Sequence, residues 1–584
     1  MNNKKYQKWD VHHHIVPDFY VDEMKKMGMQ DYCTIKWPKW NPEASLKLME
    51  AFQIEKAFVS LSTPGSYFKN SDYSQSLNRK CNEYIYRMVK DYPGKFGGFA
   101  SVTLPDVPNA MKEMEYALDT LKLDGISLMS NVNGKYLGDS DYREFYSELD
   151  KRKAIIYIHP NGIAGKEDHR FLNPLYLWQN DTTKTMIDFI RSGYHRDYPN
   201  IKWILSHGGG ILSPIYSTLI QTLENENPDI ASELEQWKSQ IFLDTASKAF
   251  DEQIPELLHF SDVKHVLFGS DIGWGNKMAV STLEKSYNQL DQTMGLTEAQ
   301  IADIYLGNAK RLFSQERVPV DTKGQLPIVI RNNKPTDQSD KIKYHYHCLP
   351  QKVVDTIRSL QPTLKTEGLN PWNEGETLGW MKQIGYEKVM LSFDLPLAWK
   401  MNSDDLGCVL KVFNEEVAKI KNRNSKCFGA YGAIDINSPA NAVSEMKHCI
   451  EKLKLDGICV STNLFDTTFD QLIDEQVLSS LAMLHVPVLL HPQDSTGIPL
   501  INDNYLDAVY FLAKTFYHGV FAKYLKDTKF ILAHTGGVLP YLANPINILY
   551  YMSIKKPKIM GYMIDTFIRH NPKGFNILMN MIVD

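Results

Sequence analysis

Asp10-Val11-His12-His13-His14 lies near the start of the chain, and Lys343-Tyr344-His345-Tyr346-His347 reopens the same histidine pattern past its midpoint. The repetition continues downstream in register. Trp40-Asn41 recurs as Trp372-Asn373, Leu121-Lys122-Leu123-Asp124-Gly125-Ile126 as Leu453-Lys454-Leu455-Asp456-Gly457-Ile458, and His159-Pro160 as His491-Pro492, all with one offset of 332 residues. Ser206-His207-Gly208-Gly209-Gly210 returns as Ala533-His534-Thr535-Gly536-Gly537 at the shorter offset of 327, as a loop deletion would leave. A period this long marks a duplicated domain, because solenoid repeats run to only about 20 to 50 residues.

The length agrees, since 584 residues exceed what one hydrophobic core serves and hold two domains of roughly 250 to 320 residues. A formal net charge of −5 gives no reason to expect nucleic acid or an anionic membrane as a partner. No stretch approaches the roughly 18 apolar residues of a membrane span, and the opening residues lack an apolar leader core. The seven cysteines are scattered and form no Cys-x-x-Cys pair, which suits a reducing, cytoplasmic setting.

Short β-branched or aromatic runs alternate with longer segments of helical period, the pattern of repeated βα units. Residues 1 to 315 carry eight predicted strands, the last over His265 to Ser270, and so predict a TIM-type (β/α)8 barrel. Residues 316 to 340, rich in Pro, Gly and Asn, break both periodicities and are assigned as a linker. Residues 341 to 584 repeat the pattern with only seven strands, the last over Asn580 to Asp584, so an eighth is expected beyond Asp584. The expected class is α/β, two tandem barrels, the second lacking its last strand.

On a strand, side chains two apart share a face, so Asp10, His12 and His14 are expected to point one way and His13 the other. His159 ends the fifth strand, His207 the sixth, and Asp271 follows the eighth, all at the barrel mouth where catalytic groups of this fold collect. Three imidazoles and a carboxylate (His12, His14, His159, Asp271) form a nitrogen and oxygen donor set suited to one divalent transition ion, zinc first and manganese second. His207 is left as general acid or base beside three glycines.

At these positions the sequence resembles the amidohydrolase superfamily, in its aminocarboxymuconate-semialdehyde-decarboxylase-like branch. Asp10-Val11-His12-His13-His14-Ile15-Val16-Pro17, Ile158-His159-Pro160, Phe268-Gly269-Ser270-Asp271 and Gly307-Asn308-Ala309-Lys310-Arg311-Leu312-Phe313 follow in that family's order. Trp40-Asn41-Pro42-Glu43 through Leu61-Ser62-Thr63-Pro64-Gly65 further resembles 6-methylsalicylate decarboxylases. The resemblance implies a mononuclear centre, and the fourth strand, Gly125-Ile126-Ser127-Leu128-Met129-Ser130, indeed offers no lysine to bridge two metals. It implies non-oxidative loss of CO₂ from an aromatic or unsaturated carboxylic acid, with Asp271 and His207 moving the proton. Lys36, Trp40 and Asn131 are then candidates for contact with a planar acid.

In the second half the matching ligands are His345, His347 and His491, and His534 matches His207. Lys343 stands where Asp10 stood, at the same expected inward parity, where it would either weaken metal binding by setting a cation beside the ion or point away. Two further readings stay open: hydrolysis of a lactone, ester or amide by the same ligand set, and a second barrel serving only as scaffold, with the halves pairing as an internal pseudo-dimer or the chain as a homo-oligomer. Outside these motifs a lone buried histidine is more often a hydrogen-bonded core residue, and Asp271 could equally cap the helix that follows it.

Overall fold

The computed structural model describes residues 6–32, 35–161, 177–224, 226–246, 253–273, 290, 296–314, 342–362, 371–393, 401–436, 438–461, 474–491, 524, 528–533 and 582–583. The chain divides into two compact units, Met1–Val329 and Ile330–Asp584.

In the first unit eight strands form one sheet in sequence order: β1 (Lys8–Ile15), β2 (Ile54–Leu61), β3 (Phe96–Ser101), β4 (Gly125–Met129), β5 (Ile155–His159), β6 (Lys202–Leu205), β7 (Ile241–Asp244) and β8 (Val266–Leu267). Every neighbouring pair is parallel. The sheet closes on itself. Val11 N–H donates to the Phe268 carbonyl at 3.0 Å, Asp271 N–H to that of His12 at 2.9 Å and His14 N–H to that of Ile272 at 2.7 Å. The eighth strand is shorter than predicted, because the chain turns after Leu267 to deliver these closing bonds and passes through a left-handed residue at Asp271 (φ 58°).

Inside the barrel, Val11, Phe58, Phe99, Tyr157, Ile204, Phe242 and Leu267 meet in one buried cluster. The helix Asn308–Phe313 adds Ala309 and Leu312 to it, with Phe313 stacked on Phe58 at 3.7 Å between ring centroids. Asn308 anchors that helix by donating to the Val263 and Val266 carbonyls, both at 2.7 Å. Thus Gly307-Asn308-Ala309-Lys310-Arg311-Leu312-Phe313 plugs the floor of the barrel and leaves the strand C-termini free for chemistry.

The second unit repeats the order with β9 (Ile342–His347), β10 (Lys388–Ser392), β11 (Phe428–Ile434), β12 (Gly457–Ser461), β13 (Val488–His491), β14 (Phe530–Leu532) and β15 (Ile582–Val583), seven parallel strands among the described residues. Its interior gathers Met390, Tyr431, Cys459, Leu489 and Ile531. The N-caps repeat too: Asn41 accepts from Ala44 N–H and Asn373 from Glu376 N–H, each opening the helix before the second strand of its unit. Among the described residues no helix is long and apolar enough to cross a membrane.

Phe58 is fully buried between Trp9, Phe99 and Phe313. Phe58→Ala is therefore expected to destabilise the first unit by about 3–5 kcal/mol, read as a lowered urea midpoint at unchanged slope.

Candidate metal centre

β1 does not alternate as a regular strand. Trp9 and Val11 pack on the barrel interior, the pairing register with β2 slips between Asp10 and His13, and His12 and His14 then face inward. One extra residue in a strand does this, flipping the parity of everything after it. Asp10 and His13 consequently share the outer side, where His13 Nδ1 lies 3.0 Å from Asp10 Oδ2. The expected inward Asp10 is thus corrected. β9 slips at the same place, between Lys343 and Tyr346, and Ile342 and Tyr344 pack on the core. Lys343 therefore alternates away from His345 and His347, which corrects its inward parity and leaves the second of the two expectations for it.

The inward imidazoles converge. His12 Nε2 and His14 Nε2 are 3.1 Å apart, each 3.2 Å from Asp271 Oδ1. The His159 ring lies 4.7 Å from that of His14. One ligand atom from each of His12, His14, His159 and Asp271 falls within 4.8 Å of all the others, the spacing of donors around a single ion.

Their outer nitrogens are held so that the inner ones face the centre. His159 Nδ1 sits 2.9 Å from the Pro160 carbonyl, which can only accept, so Nδ1 carries the proton and the Nε2 lone pair points inward. His12 Nδ1 meets Asp244 Oδ2 at 2.8 Å. Asp244, fully buried at the end of β7, also accepts the His207 and Ala246 amides. This carboxylate–imidazole pair orients the ligand and raises its basicity.

Electrostatics point the same way. Burial works against a charge on His12, yet Asp244 and Asp271 overcome it and hold the imidazole up at about 10. Burial pushes His14 down to about 4, with Asp271 partly opposing it and the neighbouring His12 adding to it. Burial and the three surrounding imidazoles take His159 well below its ordinary range. For Asp271 burial favours the neutral acid, but His12 and hydrogen bonds from three imidazoles keep it well below the usual carboxylate range. The two carboxylates thus favour a cation at this point while His14 and His159 stay neutral donors, and an ion bound there would take the place of the proton on His12.

His207 Nε2 approaches Asp271 Oδ2 at 3.4 Å, and its ring stands 4.8 Å from that of His12. Its Nδ1 is buried without a hydrogen-bond partner. The residue adopts φ 52° and leads into Gly208, Gly209 and Gly210, all at positive φ. Such strain in a non-glycine residue persists where the surroundings over-determine it. Two glycines are required sterically: a Cβ on Gly269 would lie 2.9 Å from His12 Cβ, and one on Gly273, at φ 127°, 2.6 Å from His14 Cβ.

A pocket lined by Tyr32, Tyr67, Phe68, Val102, Leu104, Met129 and Asn161 opens on the β2 to β5 side of the mouth. Met129 is the pairing neighbour of His159. Tyr32 stacks between Trp37 and Trp178, and Trp178 reaches the His159 ring at 6.2 Å. Of the residues expected to contact substrate, Lys36 is exposed in a two-stranded hairpin. Trp40 is buried with its indole on Ser45, and Asn131 is buried with its amide on Asp181. In the second unit His345 Nε2 and His347 Nε2 are 3.2 Å apart and both rings lie 4.8 Å from His491. His347 is exposed, and His534 lies outside the described residues.

Asp244 is the residue that sequence reasoning missed, although a carboxylate ending a barrel strand was a visible signal. Asp244→Asn is expected to weaken divalent-metal affinity of the first unit about 10- to 100-fold with little change in secondary structure, measured by competition with a chelating dye.

The family profile for amidohydrolases matches residues 9–315. The decarboxylase yanB of Aspergillus niger is 34% identical over 334 residues, 54% of this chain and 89% of that protein. The 6-methylsalicylic acid decarboxylase of Penicillium expansum is 29% identical over 45% of this chain and 84% of its own length. A crystal structure described as an amidohydrolase II superposes with a TM-score of 0.50 at 28% identity, covering 53% of this chain and 100% of that one.

Proposed function

We propose, from the premise that this chain belongs to the amidohydrolase family, that its first unit catalyses metal-dependent, non-oxidative decarboxylation of an aromatic carboxylic acid. The observation that carries the reading is the convergence of His12, His14, His159 and Asp271 on one point, in a chain whose relatives are decarboxylases. An imidazole-rich donor set favours zinc, with manganese as the alternative. Bound there, the ion would supply Lewis acidity toward the substrate carboxylate.

The chain's own residues do the rest. The pocket beside His159 offers aromatic and aliphatic walls with a few hydroxyl and amide groups, suited to a planar salicylate-type ring such as 6-methylsalicylate. Asp271 and His207, 3.4 Å apart, form the proton pair. A proton passes to the ring carbon bearing the carboxylate, the carbon–carboxylate bond breaks, its electrons restore the aromatic ring, and CO₂ leaves. One proton is taken up for each CO₂ released. His345, His347 and His491 are proposed to hold a second ion, in a more open setting than the first.

Zinc- or manganese-loaded protein incubated with 6-methylsalicylate should release one CO₂ per molecule of decarboxylated product and lose activity on chelation. His207→Gln should lower kcat about 10²- to 10⁴-fold while metal content stays native. Hydrolysis of lactones, esters or amides with no CO₂ from any salicylate-type acid would overturn the reading.

A further inference from the structure

We propose that Asp10, His13, Ser45 and Trp40 form a buried clamp that positions Asp271 for the metal. The proposal rests on the reading that Asp271 is a ligand. Asp10, His13 and Ser45 are wholly buried and Trp40 nearly so, on the outer side of β1, away from the converging nitrogens.

The hydrogen bonds run in one direction. The Trp40 indole can only donate, and it donates to Ser45 Oγ at 2.9 Å. The Ser45 hydroxyl is then directed to His13 Nε2 at 2.8 Å, and His13 Nδ1–H to Asp10 Oδ2 at 3.0 Å. The carboxylate so fixed grips both sides of the barrel closure. It accepts the His12 amide at 3.1 Å, the Ser270 amide at 2.9 Å and the Ser270 hydroxyl. Ser270 immediately precedes Asp271, whose left-handed backbone is in turn tied to the His12 carbonyl. Asp10 therefore sets the spacing between the strand that carries two ligands and the turn that carries the fourth.

A serine, a histidine and an aspartate in this order have the composition of a hydrolytic triad. Ser45 Oγ is, however, sealed from solvent and engaged by Trp40 on one side and His13 on the other, so no substrate can reach it. Its role is mechanical. The second unit has lost the device: Lys343 and Tyr346 replace Asp10 and His13, Tyr346 reaches Thr377 at 3.2 Å, and the indole nitrogen of Trp372 is buried without a hydrogen-bond partner.

The test uses the full chain carrying H347A, so that only the first unit's cluster reports, stripped of metal and titrated with Co²⁺. Asp10→Asn is expected to weaken Co²⁺ binding about 10- to 100-fold and to alter the visible d–d spectrum, with Ser45→Ala changing both in the same direction by a smaller factor. Should Asp10→Asn fail to fold, Ser45→Ala carries the test, because it leaves the carboxylate in place. Native affinity and a native spectrum in the folded variants, while Asp271→Asn changes both, would overturn the clamp alone. A native spectrum in Asp271→Asn would overturn the ligand reading and the clamp with it.

Discussion

The hydrogen bond from the Asp271 amide to the His12 carbonyl serves two structures at once. It is one of the few bonds that close an eight-stranded sheet into a barrel, and it fixes the distance between a ligand on the first strand and a ligand after the last. A closed parallel barrel brings strand ends from opposite ends of the sequence to one mouth, so the metal centre exists only when closure is complete. Gly269 and Gly273 are constrained for the same reason, since a methyl group at either would wedge the closure apart at His12 or His14.

Four imidazoles and two carboxylates stand within a few ångströms in the interior of a protein, where isolated charge is costly. The arrangement divides the labour. Asp244 and Asp271 draw positive charge onto one point, while burial and mutual repulsion keep His14 and His159 available as neutral donors. The floor of the barrel, packed by Phe58, Phe99 and Phe313, has no polar duty and is free to supply stability.

Much of this was legible in the residues alone. The alternation of apolar runs predicted the strands closely, because parallel strands buried on both faces and amphipathic helices differ in period. His12 and His14 were found as an alternating pair on one strand, and His159, His207 and Asp271 because each ends or follows a strand, where the fold converges. What stayed hidden depends on three-dimensional detail. The period-of-two rule placed Asp10 and Lys343 inward, since a register slip has no signature in the residues themselves. Trp40 stood as a candidate for contact with a planar acid, whereas its buried indole holds Ser45. Asp244 ends a strand as other site residues do, but its task is visible only in the 2.8 Å contact with His12.

The slip in the first strand of each unit has a wider meaning. Trp9 and Val11 must fill the core, and His12 and His14 must face the mouth; a regular strand cannot satisfy both. Metal binding in this chain therefore depends on a count of residues as much as on their identity. The same residues in a strand without the slip would keep Val11 in the core and turn His12 and His14 out of the barrel together. The slip stands at the matching place in both units, directly before a His-x-His pair in each.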